Sequence, residues 1–228
     1  MQTRSDREII SYLSKYITDH KKNFIERVLD QRTRRLTVVL EDIYQSQNAS
    51  AVIRTCECMG VQDVHIVENK SKYEFNTRVL KGADKWMNLV RHRGKNLNNT
   101  EKCFDKLRNE GYKILVTDPA ADGVSIHDID PIQNKIAIVF GNELRGTSSY
   151  ALDHGDQKVK IPMYGFTESL NISVSVAICL NTLLTSLRKS TENFGLTEQE
   201  KDNMRLAWYR KIVRRSDIIE REFLRVIE

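Results

Sequence analysis

Three segments of this chain carry residue types whose spacing suits chemistry. The first is Asn48-Ala49-Ser50-Ala51-Val52-Ile53-Arg54-Thr55. Asn48 or Ser50 is a suitable helix cap, and Arg54 falls on the side away from the apolar residues. Taken alone, a capped amphipathic helix with an exposed arginine accounts for it. The second is Phe140-Gly141-Asn142-Glu143-Leu144-Arg145-Gly146. Glycines on both sides of a four-residue stretch that carries Glu143 and Arg145 let the backbone turn sharply and approach a ligand closely. It lacks the GK[ST] ending of a phosphate-cradling loop, and it is not GxGxxG. A plain strand-ending loop is the alternative. The third runs Ile161-Pro162-Met163-Tyr164-Gly165-Phe166-Thr167-Glu168-Ser169-Leu170-Asn171-Ile172-Ser173-Val174-Ser175. Pro162 and Gly165 predict an irregular loop. Ser169, Asn171, Ser173 and Ser175 load the start of the following helix with small polar groups, and capping explains only one of the four. Such a segment offers N–H and C=O groups to a ligand recognised by shape more than by charge.

Each segment follows an apolar run or leads into a helix, so the elements must place them together. Leu36–Leu40 (LTVVL), Val64–Val67, Lys113–Thr117, Lys135–Phe140 and Lys158–Ile161 read as strands. Asn48–Met59, Thr100–Glu110 and Leu170–Leu187 read as helices, with Gly60 and Gly111 closing the first two. Strands alternating with helices predict a parallel α/β sheet covered on both faces, and α/β folds put ligand sites at the strand ends. Before the first strand, Ser5-Asp6-Arg7-Glu8 fits a capping box, followed by one amphipathic helix through Ile9, Leu13, Ile17, Phe24 and Val28. After the core, Thr197-Glu198-Gln199-Glu200 fits a second capping box, and a break near Ser216 separates two helices. Residues 68–95 look irregular, with Tyr73, Phe75 and Trp86 among lysines and arginines. They suit either RNA stacking or a core. The expected organisation is a helical extension over 1–35, an α/β domain over 36–187 and a second helical extension over 188–228.

Composition narrows the partners. The 228 residues carry 36 Lys+Arg against 31 Asp+Glu, a net charge of +5. Residues 1–35 hold +4, residues 36–187 hold −1 and residues 188–228 hold +2. The surplus sits in the ends, as a footprint for phosphates would, although ordinary solvated helices give the same pattern. No apolar run is long enough for a membrane span, and no signal-peptide core is present. The four cysteines show no metal-binding spacing, so no metal is expected. They read as reduced thiols of a cytoplasmic protein.

In this order and spacing, NASAVIRT, FGNELRG and IPMYGFTESLNISVSVA resemble the motifs of the SpoU branch of the SPOUT methyltransferase superfamily. The helical ends look most like its TrmH-type tRNA guanosine-2′-O-methyltransferases. The resemblance implies methyl transfer from S-adenosylmethionine to a ribose 2′-hydroxyl of tRNA, at guanosine 18. Ribosomal RNA as substrate, or a non-catalytic RNA-binding module, are the alternatives. It also implies a parallel sheet ending in a deep trefoil knot, and a homodimer with its site at the interface. Arg54 would then be the catalytic arginine, with Asn48 positioning it or the RNA and Glu143 organising the site beside it. Thr117, Gly141, Ile161 and Leu170 would contact the cofactor. Ser169 and Asn171 would shape the place where ribose meets cofactor. Arg32, Arg34 and Arg35 would take RNA phosphates. Arginine is an awkward general base because its pKa exceeds about 12. Arg54 is therefore expected to stabilise charge on the 2′-oxygen or to grip a phosphate. The final proton acceptor stays open between Arg54, Glu143, a phosphate and water.

Overall fold

The computed structural model describes residues 4–74, 76–119 and 122–227, with the side chains of residues 4, 5, 226 and 227 left aside. Phe75 and the Val226 side chain therefore lie outside the described residues.

Two compact units divide the chain: residues 33–194, and the two ends, 1–32 with 195–228, gathered into one. The ends were expected as separate extensions. In the end unit, α1 (Arg4–Ser14) and α2 (Asp19–Leu29) replace the single expected helix. Thr18 is the reason. Its side chain accepts from the Lys21 N–H and starts a new helix with a new phase. Ile25 and Leu29 are buried as a result, whereas Phe24 is exposed. Ser5 lies inside α1 and is not its cap.

The larger unit follows in chain order. It runs β1 (Leu36–Glu41), α3 (Ser46–Met59), β2 (Asp63–Val67), α4 (Thr77–Leu80) and a 3₁₀ turn (Ala83–Lys85). Then come β3 (Asn88–His92), α5 (Asn99–Asn109), β4 (Tyr112–Thr117), β5 (Val124–Ser125) and a second 3₁₀ turn (Ile126–Asp128). It ends with β6 (Lys135–Phe140), α6 (Ser149–His154), β7 (Gln157–Lys160) and α7 (Ile172–Lys189). In the end unit, α8 (Glu198–Ile212) carries the expected Thr197 capping box, and α9 (Ser216–Ile227) follows the expected break.

All strand pairings are parallel, in the order β3-β2-β1-β6-β4-β7-β5. The central strands are buried on both faces, which is why they read as continuous apolar runs. One face packs on α3 and α7 through Val52, Ile53, Cys56, Val176, Leu180 and Leu184. The other packs on α5 through Cys103, Phe104 and Leu107. Strand β3 escaped the pattern because NLVRH is short, polar and at the sheet edge.

One buried pair was not anticipated. His65 of β2 and His92 of β3 meet Nδ1 to Nε2 at 2.9 Å, and the Cys103 sulfur lies 3.8 Å from the same His65 nitrogen. Burial, then the neighbouring His92, pushes the His65 imidazole down to about 3. Burial lowers His92 as well. The folded pair is therefore neutral where an unfolded histidine, near 6.5, begins to take a proton. As pH falls from about 6.5 to 5 the unfolded state binds protons that the fold refuses, so stability falls. His65 alone accounts for about 2 kcal/mol at pH near 5. Urea unfolding between about pH 7 and 5, above the carboxylate range, measures it. A flat free energy over that window contradicts the neutral pair.

Candidate active site

The C-terminal ends of β4, β6 and β7 open into a cavity of about 710 Å³, a size suited to a small-molecule ligand. Thr117 ends β4, Phe140 ends β6 with Gly141 directly after it, and Ile161 follows β7. The third motif closes the opposite wall with Ser169, Leu170 and Asn171 as it enters α7.

Gly141 is present because nothing larger fits. A Cβ there would stand 2.2 Å from the Gly146 carbonyl carbon and the Thr147 nitrogen. The loop between them is pinned by paired backbone bonds, Asn142 N–H to Gly146 O at 2.9 Å and Gly146 N–H to Asn142 O at 2.8 Å. The Asn142 side chain adds a third tie, donating to the Asp42 carbonyl at 2.7 Å.

Helix α3 has no capping side chain of its own. Sequence reasoning expected Asn48 or Ser50 to cap it. Glu143 supplies the anion from across the sheet instead: its carboxylate accepts from Tyr44 N–H at 3.0 Å, Gln45 N–H at 3.3 Å and Asn48 Nδ2 at 2.9 Å. A negative charge at the start of a helix also suits its dipole. Burial works to raise the Glu143 carboxyl, but the bonds from Asn48 and from the backbone N–H groups of Tyr44, Glu143 itself and Gln45 outweigh it and hold the pKa below the ordinary carboxylate range. Asn48 continues the chain by accepting from Asn171 Nδ2 at 3.1 Å. Asn171 caps α7, accepting from the Ser173 N–H at 2.9 Å and its hydroxyl at 2.7 Å. One polar thread, Glu143–Asn48–Asn171–Ser173, thus joins all three motifs.

Asn48, Glu143, Thr117, Gly141, Ile161, Ser169, Leu170 and Asn171 all line the one cavity. Arg54 does not. It is exposed on α3, six residues beyond Asn48, which is about 9 Å along the helix and about 240° around it. Within one protomer Glu143 therefore organises the start of α3. The cluster at 32–35 also departs from expectation. Arg32 is 1% exposed with its guanidinium over the Trp208 ring. Arg34 donates to Asp63 at 2.8 Å, and Arg35 donates to the Ile132 carbonyl. Arg32 is buried, Arg34 is paired with Asp63 and Arg35 is half-buried against a backbone carbonyl, so the three do not form one open cationic patch. Tyr73 is buried beneath the Arg91 guanidinium and Trp86 is half-buried, which favours a core role over RNA stacking. Sequence reasoning missed Asp118, Thr147 and Arg145 as lining residues. Only Arg145, a cation flanked by the turn glycines, left a signal.

Residues 35–181 match the SpoU rRNA Methylase family. The chain is 48% identical over 211 residues to a tRNA (guanosine(18)-2′-O)-methyltransferase of Borreliella burgdorferi, covering 92% of this chain and 94% of that protein. Among solved structures, a TrmH/SpoU tRNA modifying enzyme of Aquifex aeolicus superposes with TM-score 0.75 at 26% identity, over 86% of this chain and 98% of the other. The Streptomyces viridochromogenes methyltransferase AviRb, solved with AdoMet, shares the fold at TM-score 0.60 and 19% identity, over 72% of this chain and 65% of that one. Three motifs gathered round one cavity, and a match across most of the chain, lead to one placement: the protein belongs to the SpoU methylase family.

Proposed function

We propose that this chain is an S-adenosylmethionine-dependent tRNA ribose 2′-O-methyltransferase acting on guanosine 18. The observation that carries it is the assembly of all three motifs on one cavity, in a chain 48% identical to an enzyme of that name. The cavity suits the cofactor. The Gly141–Gly146 crossing forms part of its wall, and three carboxylates, of Asp118, Glu143 and Glu168, line it against two cations, Lys160 and Arg145. The bound cofactor supplies an electrophilic methyl group. The protein must then align the 2′-oxygen with it, a positioning task. Asn48, Ser169 and Asn171 are placed to do so at the cavity wall. Glu143, already accepting three hydrogen bonds and held ionised, fixes α3 and is poorly suited to take the 2′-proton. That leaves an RNA phosphate or water as acceptor, with Arg54 stabilising the developing oxyanion.

The reading includes a homodimer in the cytoplasm. Tyr164 (96% exposed) and Phe166 (fully exposed) lie in the third motif, and Met163, Leu170 and Val174 beside them are also exposed. An apolar stretch beside a cavity supports a second copy as its cover. Arg54, absent from its own cavity wall, completes the site across that interface. Among the described residues no helix is long and apolar enough to cross a membrane. The resemblance also implies a trefoil knot. It is supported by β6 entering between β1 and β4, and β7 between β4 and β5.

Labelled methyl transfer tests the proposal. The expected result is transfer to a tRNA carrying guanosine 18 and none to the same tRNA with 2′-deoxyguanosine there. Transfer to the deoxy substrate, or to ribosomal RNA in preference, overturns it.

A further inference from the structure

A second cavity, of about 1090 Å³, lies on the far side of the 141–147 loop, at the C-terminal ends of β1, β2 and β3. Six cations and three acids line it. The acids are consumed by the fold. Glu41 accepts from the Thr100 and Ser148 hydroxyls at 2.5 and 2.7 Å. Asp42 accepts from three successive backbone N–H groups, those of Asn69, Lys70 and Ser71, at 2.7 to 3.0 Å. Glu68 is held by Arg91 at 2.7 and 2.9 Å. Arg91 is consumed with Glu68, and the other five cations are not. Lys70, Lys72, Arg93, Lys95 and Arg145 are all exposed, and among the described residues none forms an ion pair.

The arrangement is specific in two ways. Asp42 pins the turn that carries Lys70 and Lys72, so their placement is built and not incidental. Arg145 lines this groove and the methyl-donor cavity alike, together with Asn142, Gly146 and Thr147. One loop is therefore the shared wall of both cavities. A strand that presents a ribose to one cavity has its neighbouring phosphates beside the other. Five cations from three chain segments suit a phosphodiester backbone better than a single phosphate group.

We propose that this groove holds the RNA backbone flanking the target nucleotide, with Arg145 as the positioning residue between groove and methyl donor. The inference rests on the tRNA methyltransferase reading and adds where the substrate strand runs. It moves the main phosphate contacts from the basic chain ends into the nearly neutral α/β unit.

The test is the full-length triple variant Lys70→Gln, Lys72→Gln, Lys95→Gln. All three side chains are exposed, so cofactor affinity reports that the fold is intact. The expected result is a KM for tRNA raised at least about tenfold. The slope of log affinity against log salt is expected to be shallower by about 2 to 3, near 0.7–0.9 per lost phosphate contact. Cofactor affinity and kcat at saturating tRNA stay at wild-type values. Arg145→Gln should raise KM and also lower kcat. If wild-type protein methylates tRNA while the triple variant keeps its KM and salt slope, the groove is not the RNA path. If millimolar inorganic phosphate at constant ionic strength raises the wild-type KM for tRNA while the triple variant keeps the wild-type salt slope, the groove is a single-anion site and the proposal is also overturned. If wild-type protein methylates no tRNA, the parent reading falls first, and that outcome is visible before any variant is made.

Discussion

Arg54→Ala is expected to lower kcat for methyl transfer by about 10²–10³-fold, the size of effect seen when one aimed donor to an oxyanion is removed. Cofactor affinity is expected to stay unchanged, because Arg54 is no part of the 710 Å³ cavity wall. Stability should also hold. The side chain is exposed, so its removal opens no cavity in the core. Single-turnover transfer and cofactor titration measure the two halves separately. Arg54→Lys separates charge from geometry. An ammonium keeps the charge and loses the planar fork, so a rate near that of the alanine variant indicates a fork contact. A near-wild-type rate indicates charge alone. A loss of cofactor affinity in either variant contradicts the assignment.

The position of Arg54 adds a second readout. In a dimer whose sites are shared, one protomer supplies the cavity and the other the arginine. Mixing Arg54→Ala with a cavity-blocked partner such as Leu170→Trp then restores one working site per mixed dimer. With random pairing, activity returns to about a quarter of wild type. Leu170 lines the cavity and is partly exposed, so a larger side chain fills space without entering the core. No recovery on mixing would place Arg54 and the cavity it serves on one protomer.

The sheet was legible because its central strands are buried on both faces and read as unbroken apolar runs. LTVVL and KIAIVF are the clearest cases. Edge elements were not. Strand β3 has only Leu89 and Val90 as an apolar signal, and β5 is two residues long. The N-terminal helix was misread for a different reason. Its apolar spacing runs on through Ile17, and only Thr18, an ordinary polar residue, resets the phase. At the site, the motif residues were legible as types, but not their connections. Nothing local in NASAVIRT says that the cap of α3 comes from Glu143, 98 residues after Gln45. Nor does the sequence show which arginines are spent. Arg34 looks free until β2 brings Asp63 beside it. Charge counted along the chain placed the phosphate footprint in the ends. Charge counted by cavity, after the ion pairs are set aside, leaves five exposed cations in the groove that shares the 141–147 loop with the 710 Å³ cavity.

Gly141→Ala is expected to abolish cofactor binding, and Gly165→Ala, in the neighbouring motif, to leave it intact. Gly141 lines the cavity and Gly165 lies in the third-motif loop between the lining residues Met163 and Glu168, and sequence alone gives each a turn role. The structure separates them. A Cβ on Gly141 meets the carbonyl carbon and oxygen of Gly146 at 2.2 and 2.4 Å and the Thr147 nitrogen at 2.2 Å. These are backbone atoms held by the paired Asn142–Gly146 bonds, so no side chain can swing aside to relieve the clash. The loop must open by more than an ångström. Opening it displaces Asn142, Glu143 and Arg145 together and breaks the cap on α3. Overpacking of this kind costs about 1–3 kcal/mol where the structure can adjust, and more where it cannot. A Cβ on Gly165 meets nothing within 4 Å, and its φ is outside the left-handed region. Cofactor affinity is the discriminating measurement, with thermal unfolding alongside. The alanine at 141 should lose binding by at least about a hundredfold and unfold at lower temperature. The alanine at 165 should match wild type in both. Equal behaviour of the two variants would mean that the 141–147 crossing does not shape the methyl-donor cavity.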